Sequence, residues 1–228
     1  MEKDKNIEIN VKGQIFKRLP IKTHVVMYGE VLEDIIKRYA TSHIEEGDIL
    51  FVSEKIVAIT QGRAYPVKDI KPRKLAYFLS DKVTKTKAGI GLGMPETMEM
   101  ALRECGTLKI LFAAGVSAIS KGLGRKGDFY RVAGYKASSI DGPTPNTIPP
   151  YNSYVVLGPE RPDAVAQELS KVMGCRVAIV DINDIGGNVL GISEASMKRD
   201  EIVQILKDNP LGQCHESTPL GIIRKLSK

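Results

Sequence analysis

A mixed α+β fold is what this sequence predicts, on three observations. Short apolar runs of strand length, at residues 49–52 and 176–180, stop abruptly at polar residues. Between them lie stretches of helical period, such as residues 30–39. Two further helices are punctuated at both ends: Pro95 and Pro162 suit first helical positions, and Gly106 and Gly174 stand where those helices stop.

Taken in order, residues 7–16 alternate apolar and polar, as one half-buried strand would. Residues 30–39 form an amphipathic helix, with Val31, Ile35 and Ile36 at helical spacing and Glu30, Glu33 and Asp34 outward. Glu46-Gly47-Asp48 is a turn, residues 49–52 are a buried strand, and residues 56–60 continue β-branched to Gln61-Gly62-Arg63. Residues 74–80 read as a helix. The cluster Gly89, Gly91, Gly93 precedes the helix that opens at Pro95, with Glu96 at its positive dipole end, and runs to about Cys105. Residues 108–119 return to strand character.

Gly122, Gly124 and Gly127 then match G-x-G-x-x-G, but the dinucleotide fingerprint needs a helix next and residues 128–132 read as another strand. The stretch is therefore expected to be a basic hairpin loop, able to touch phosphate through backbone amides and Lys121, Arg125 or Lys126. Residues 141–154, with Pro143, Pro145, Pro149 and Pro150, form an extended loop or arm whose length suggests a role in a site or a subunit contact. A helix over 162–173, the strand over 176–180 and a helical pattern over 197–206 complete the series.

Composition narrows the class. With 228 residues, 43% hydrophobic and 26% charged, the chain buries a substantial core as a single domain, or as two subdomains of about 1–140 and 141–228. The first ten residues are charged and lack a secretory core segment, and the longest apolar run, residues 110–119, is too short to cross a bilayer. A cytoplasmic protein is expected. Cys105, Cys175 and Cys214 are odd in number and form no C-x-x-C pair, which excludes a disulfide framework and a structural zinc site. A net charge of +6 favours an anionic partner, and no helix-turn-helix, RNP or finger pattern accompanies it. A nucleotide or another small anion suits that charge, and nucleic acid is the minor reading.

The acidic run after residue 180 is where chemistry concentrates. Asp181 and Asp184, with Asn183 and Asn188, are hard oxygen ligands of the kind that hold magnesium or manganese together with nucleotide phosphates. Asp181 and Asn183 serve equally as a strand cap and the start of an Asx-turn. Gln213, His215 and Glu216 can complete a metal or substrate shell, or form a helix cap and turn. His24 reads as a satisfied surface histidine, and no serine has the partnered His and Asp of a nucleophile.

Several segments occur together in a known order: residues 19–23 (Leu-Pro-Ile-Lys-Thr), residues 46–55 (Glu-Gly-Asp-Ile-Leu-Phe-Val-Ser-Glu-Lys), Gln61-Gly62-Arg63, Ala133-Gly134, residues 157–163 and Val180-Asp181. In that order the chain resembles, over nearly its whole length, the deazaflavin coenzyme (F-four-twenty) gamma-glutamyl ligase family. The resemblance implies a mixed α/β fold in an intertwined homodimer that joins L-glutamate to a phosphorylated deazaflavin precursor. It also implies GTP, or ATP, and manganese or magnesium as cofactors. On this resemblance Pro20, Ile21, Lys22 and Thr23 look like a nucleotide-binding segment, Ser53 and Lys55 like phosphate-side contacts, and Asp181 like a metal ligand, with Asn183, Asp184 and Glu216 as further candidate metal ligands. Three positions depart from the family pattern: Ile59 replaces a second lysine, Lys136 stands where a metal carboxylate is usual, and Ile182 replaces a threonine.

Overall fold

The computed structural model of the protein describes residues 6–83, 91–125, 127–183, 186–212 and 216–226. Along the chain run β1 (Glu8–Val11), β2 (Gln14–Ile21), α1 (Leu32–Ala40), β3 (Ile49–Ser53), α2 (Glu54–Thr60), β4 (Ala64–Pro66), α3 (Lys74–Ser80), α4 (Pro95–Cys105) and α5 (Thr107–Gly122). They continue as α6 (Asp128–Ala133), α7 (Tyr135–Ser138), β5 (Tyr154–Val156), α8 (Pro162–Met173), β6 (Arg176–Asn183), β7 (Gly186–Ile192), α9 (Arg199–Leu206) and β8 (Leu220–Lys225). The mixed α+β expectation is met. The chain divides into two compact units, Met1–Gly62 with Pro159–Lys228, and Arg63–Gly158.

The first unit is built on a six-stranded sheet of order β1-β2-β8-β3-β6-β7. Only β3 and β6 run parallel, Ser53 standing opposite Val180, and every other pair is antiparallel. Side chains alternate across each strand. Phe16, Phe51, Ala178, Val180 and Ile223 pack with Ile202, Ile205 and Leu206 of α9. Leu50, Val52, Val177, Ile179 and Ile222, all buried, point to the other face, which α1, α2 and α8 cover.

Two sequence expectations in this unit are corrected, and one strand was not anticipated. Residues 7–16 are not one strand: Lys12 (φ 53°) and Gly13 (φ 83°) form a two-residue turn, and Asn10 Oδ1 accepts the Gly13 N–H at 2.9 Å. Residues 56–60 are helix, not strand; Ile56, Val57, Ala58 and Ile59 are all buried, and tertiary packing overrides their β-branched preference. β8, which no sequence signal marked, lies inside the sheet between β2 and β3.

Two packing details hold this unit together. Arg18 on β2 is wholly buried; it donates to Ile205 O at 3.0 Å, to the backbone oxygen of Asn6, and to both carboxylate oxygens of Asp208, tying the sheet to the end of α9. Gly191 on β7 sits so close to α8 that a Cβ there would lie 2.2 Å from Pro162 O, a backbone atom with nowhere to go. Gly191→Ala is therefore expected to destabilise the fold by about 3 kcal/mol, the upper range for overpacking, read as a lowered urea midpoint with unchanged slope.

The second unit pairs β4 with β5 and packs α3 to α7 around Ile70, Leu79, Leu92, Met98, Leu102, Ile110 and Leu157. Here the expected strand over 108–119 is instead α5. Ile110, Ala113, Ser117 and Ser120 are its buried face at helical spacing, but the opposite face is also apolar, and that hid the period. The expected strand over 128–132 is instead α6, opened by Gly127 at φ 87°, so no second strand follows to make the expected hairpin. The dinucleotide fingerprint still fails, since its glycines follow a helix where a strand is required.

Candidate active site

Sheet topology decides where the candidate residues meet. β2 and β3 both end at the edge where β8 begins, Ile21 and Val52 both standing opposite Leu220, and the parallel register puts the end of β6 at the same edge. Pro20, Ile21, Lys22 and Thr23, then Ser53 and Lys55, then Asp181 and Asn183, and Glu216 just before β8, thus share one edge of the first unit's sheet. Backbone bonds fix that edge: Ser53 N donates to Pro219 O at 2.8 Å, and Thr23 N donates to Ser217 O at 2.9 Å. Asp184, Gln213, His215 and Lys126 lie outside the described residues.

Each candidate has a local structural cause. Ser53 ends β3 and caps α2, its Oγ accepting the Lys55 N–H at 3.4 Å. β6 does not stop at Asp181, as its apolar run suggested; it continues to Asn183 and turns into β7, with Asp181 opposite Asn188. Asn183 Oδ1 accepts the Gly186 N–H at 3.0 Å, which is the Asx-type turn anticipated for it. Ile182 packs against the α9 core, so alternation turns Asp181 and Asn183 to the face that carries α1 and α2. A skipped residue in β7, between the Ile179–Gly191 and Val180–Val189 pairs, makes a bulge just inside that edge. Glu216 folds back over Gly212 (φ 85°), where an added Cβ would lie 2.5 Å from its carboxyl carbon.

On the same face a cleft of about 500 Å³ opens beside the end of β2. Leu19, Pro20, Ile21 and Lys22 form one wall; Arg38 and Tyr39 of α1, with Ser42 and His43 of the following turn, form the other. The lining brings Lys22, Arg38 and His43 together and includes no carboxylate among the described residues. Its size lies within the ordinary range for small-molecule sites, and its charge suits an anion.

Tyr39 is held in place. Its hydroxyl lies 2.9 Å from His24 Nδ1, whose Nε2 is 2.6 Å from Glu30 Oε1. A carboxylate can only accept, so Nε2 carries the hydrogen directed at Glu30, and the Tyr39 hydroxyl bonds the other ring nitrogen. Burial raises the Glu30 carboxyl, but bonds from Met27 N–H and His24 outweigh it and hold Glu30 below the usual carboxylate range. The Arg38 guanidinium stands 5.3 Å from the Tyr39 ring centre, a cation–π contact. His24 is thus a satisfied histidine, as its sequence context suggested.

Sequence reasoning missed Arg38, Tyr39 and His43. Nothing in the chain says that the end of α1 faces the end of β2, because that depends on β8 lying between β2 and β3. Burial pushes both Cys105 and Cys175 up, away from reactive thiolate, and Cys214 lies outside the described residues.

Divalent metal can be tested only against the donor set. Among the described residues no three His, Cys, Asp or Glu side chains come together as a metal cage. Asp181 and Asn183 nevertheless present two hard oxygen donors on one face at the strand end, which fits a magnesium or manganese ion that takes its remaining ligands from phosphates and water.

A family model described as F420-0:Gamma-glutamyl ligase matches residues 20–197, more than three quarters of the 228 residues. The matched span contains Lys22, Ser53, Lys55, Asp181 and Asn183, and ends before Glu216 and β8. No curated protein matches the chain.

Proposed function

Because this chain belongs to the F420-0:gamma-glutamyl ligase family, we propose that it is an amide-forming ligase that uses GTP or ATP to join an amino acid, L-glutamate in the first instance, to an anionic deazaflavin-type acceptor. One observation carries the reading: the candidate segments, distant in sequence, share one edge of the sheet, with a basic cleft beside the end of β2. Two strands separate β2 from β6, so the cleft and Asp181 stand about 14 Å apart at the usual strand spacing. An extended nucleoside triphosphate covers that distance.

The chemistry follows from the acceptor. A carboxylate is a poor acyl donor; its oxygen attacks the terminal phosphorus, the bond to the nucleoside diphosphate breaks, and an acyl phosphate forms. The amine then attacks the acyl carbon, loses a proton, and inorganic phosphate leaves. In this reading Lys22 and Arg38 bind the anion, Lys55 faces the phosphates, and Asp181 and Asn183 would hold the metal. Bound there, a divalent ion offsets charge on the transferring phosphoryl oxygens. A homodimer in a cytoplasmic setting belongs to the same reading.

Calorimetric titration of GTP and ATP, each with and without manganese, tests it. Metal-dependent binding is expected, weakened at least ~tenfold in Lys22→Ala or Arg38→Ala, since each removes a charge-assisted contact. No binding of either nucleotide under any of these conditions would sink the ligase reading.

A second reading, a family member that binds a nucleotide or flavin-like ligand without turnover, rests on two departures. Ile59 is 2% exposed inside the first unit, where no lysine side chain could replace it without moving the core. Lys136, in the second unit, is committed to an ion pair with Glu104 at 2.9 Å, and Arg63 binds the same carboxylate at 2.7 Å. Burial raises the Glu104 carboxyl, yet these two cations hold it below its usual range. Ligand binding with no phosphate release under any acceptor would favour this reading.

A further inference from the structure

The charge of this protein is not shared between its two units. Arg63–Gly158 holds 15 Lys and Arg against 7 Asp and Glu, a formal charge of +8, whereas the rest of the chain holds 18 against 20 and carries −2. The basic excess thus belongs to the second unit, and the candidate edge lies in the first. Ion pairs inside the second unit do not cancel it. Three of its carboxylates are each bound by two cations: Glu99 by Arg73 and Arg103, Glu104 by Arg63 and Lys136, and Asp128 by Arg125 and Arg131. Each group keeps one positive charge in excess. Glu99 is 2% exposed and accepts from Arg103 Nε at 2.8 Å and from Arg73 Nε at 3.0 Å, while both arginine side chains stay 49% exposed. Past that carboxylate, Arg73 Nη1 reaches Thr107 Oγ1 and Arg103 Nη2 reaches Lys71 O, both at 3.4 Å, long bonds that a phosphate oxygen can replace.

The helix that follows Arg73 adds aromatic rings to these cations. α3 buries Ala76, Leu79 and Ser80, and turns Lys74, Tyr77 (52% exposed) and Phe78 (61%) to water, as are Asp81 and Lys82 just past its end. Lys74, Phe78 and Lys82 follow at steps of four, a row with an aromatic ring between two cations. The Lys82 ammonium stands 5.8 Å from the Phe78 ring centre, and Lys121 Nζ donates to Lys82 O at 3.4 Å, which brings a further cation to that end. Asp81 is the carboxylate of this stretch, and the cations outnumber it.

We propose that the second unit binds single-stranded nucleic acid along α3, without reading its sequence. Arg73 and Arg103 take phosphate at one end, Lys82 and Lys121 take it at the other, Lys74 stands between, and bases stack on Tyr77 and Phe78. Residues 73 to 82 span roughly 14 Å at the helical rise, room for a few nucleotides. Other partners match less of this surface. A single small anion needs cations that converge, and these are strung along a helix. An anionic bilayer takes a helix whose apolar side is separate from its charged side, whereas here rings and cations alternate on one side. A duplex keeps its bases in the stack and offers nothing to the two rings. The proposal uses nothing of the ligase chemistry, since the charge and the rings all lie within Arg63–Gly158.

Fluorescence anisotropy of a dye-labelled oligothymidylate of about twelve nucleotides, titrated with the full chain over a salt series, tests it. Binding is expected at about 1–100 µM near physiological salt, with log K falling against log salt at a slope of roughly −3, the value for about four phosphates on a single strand. Lys74→Ala and Lys82→Ala together should cut that slope to about half. Tyr77→Ala with Phe78→Ala should weaken binding at least ~tenfold and leave the slope unchanged, since stacking involves no counterion. All four side chains are exposed, so each double variant should keep its circular dichroism and its titration with GTP and manganese. No binding at low salt would overturn the proposal. So would a slope and an affinity that these substitutions leave unchanged. Equal affinity for a duplex of the same length, or for vesicles of phosphatidylglycerol, would also overturn it, by showing a surface for any polyanion. None of these results bears on the nucleotide titration above, which judges the ligase reading separately.

Discussion

Replacing Asp181 by alanine is expected to lower metal-dependent nucleotide turnover by about a thousandfold, roughly 4 kcal/mol of transition-state stabilisation, while the chain keeps its fold. The carboxylate sits at the end of β6, beyond the buried run Val177–Val180, at a half-buried position. Asn183, on the same face, is already engaged by the Gly186 N–H and cannot replace a lost negative charge. Phosphate release at saturating manganese and nucleotide is the measurement, with circular dichroism as the control. Turnover that survives in Asp181→Ala would remove this residue from the proposed chemistry and move attention to the cleft alone.

The second large effect is on stability. Arg18→Ala should destabilise the first unit by about 3 kcal/mol, because it empties a buried site and leaves the Ile205 and Asn6 carbonyls without their donor. Asp208 contributes less than a buried partner would, since 40% of its side chain is exposed and water solvates it when Arg18 is gone. A urea midpoint unchanged in Arg18→Ala would show that this bond network adds nothing net.

The same pair shapes the acid response. Burial raises the Asp208 carboxyl, but Arg18 outweighs it, and the folded value lies below the unfolded one. Glu30, Glu99 and Glu104 are depressed in the same sense; for Glu99, burial raises the carboxyl but bonds from Arg73 and Arg103 prevail. A depressed carboxyl adds stability above its unfolded pKa, near 4 for these groups, and that stability is lost as pH falls through the folded value. Stability should therefore be flat from neutral pH down to about 5 and then fall, with a shallower fall in Arg18→Ala.

How far the fold could be read in advance depended on whether a segment's two sides differ. β3 and β6 are buried on both faces and bounded by turns, and α8 is marked by Pro162 and Gly174, so all three were legible. α2 was not, because Ile56 to Thr60 are mostly β-branched and only its burial on several sides makes the helix pay. α5 was not, because its outward face is as apolar as its inward one. The candidate site divides the same way. Lys22, Ser53 and Asp181 follow apolar strands and could be picked out singly; Arg38, Tyr39 and His43 belong to the cleft only through a strand order that no local pattern encodes.

β8 is last among the strands in sequence and third in the sheet, with β2 and β3 as its neighbours. On a ribosome, the residues that flank it are made some 170 to 200 positions earlier and must wait without their common partner. The intervening unit, Arg63–Gly158, is contiguous and has its own core, so it can condense while the sheet is still open. The loop that leads into β8 carries Glu216 and the carbonyls that fix Thr23 and Ser53. The edge proposed to hold nucleotide is thus assembled only once β8 and the loop before it have been made, and a nascent chain cannot bind there until these residues have emerged.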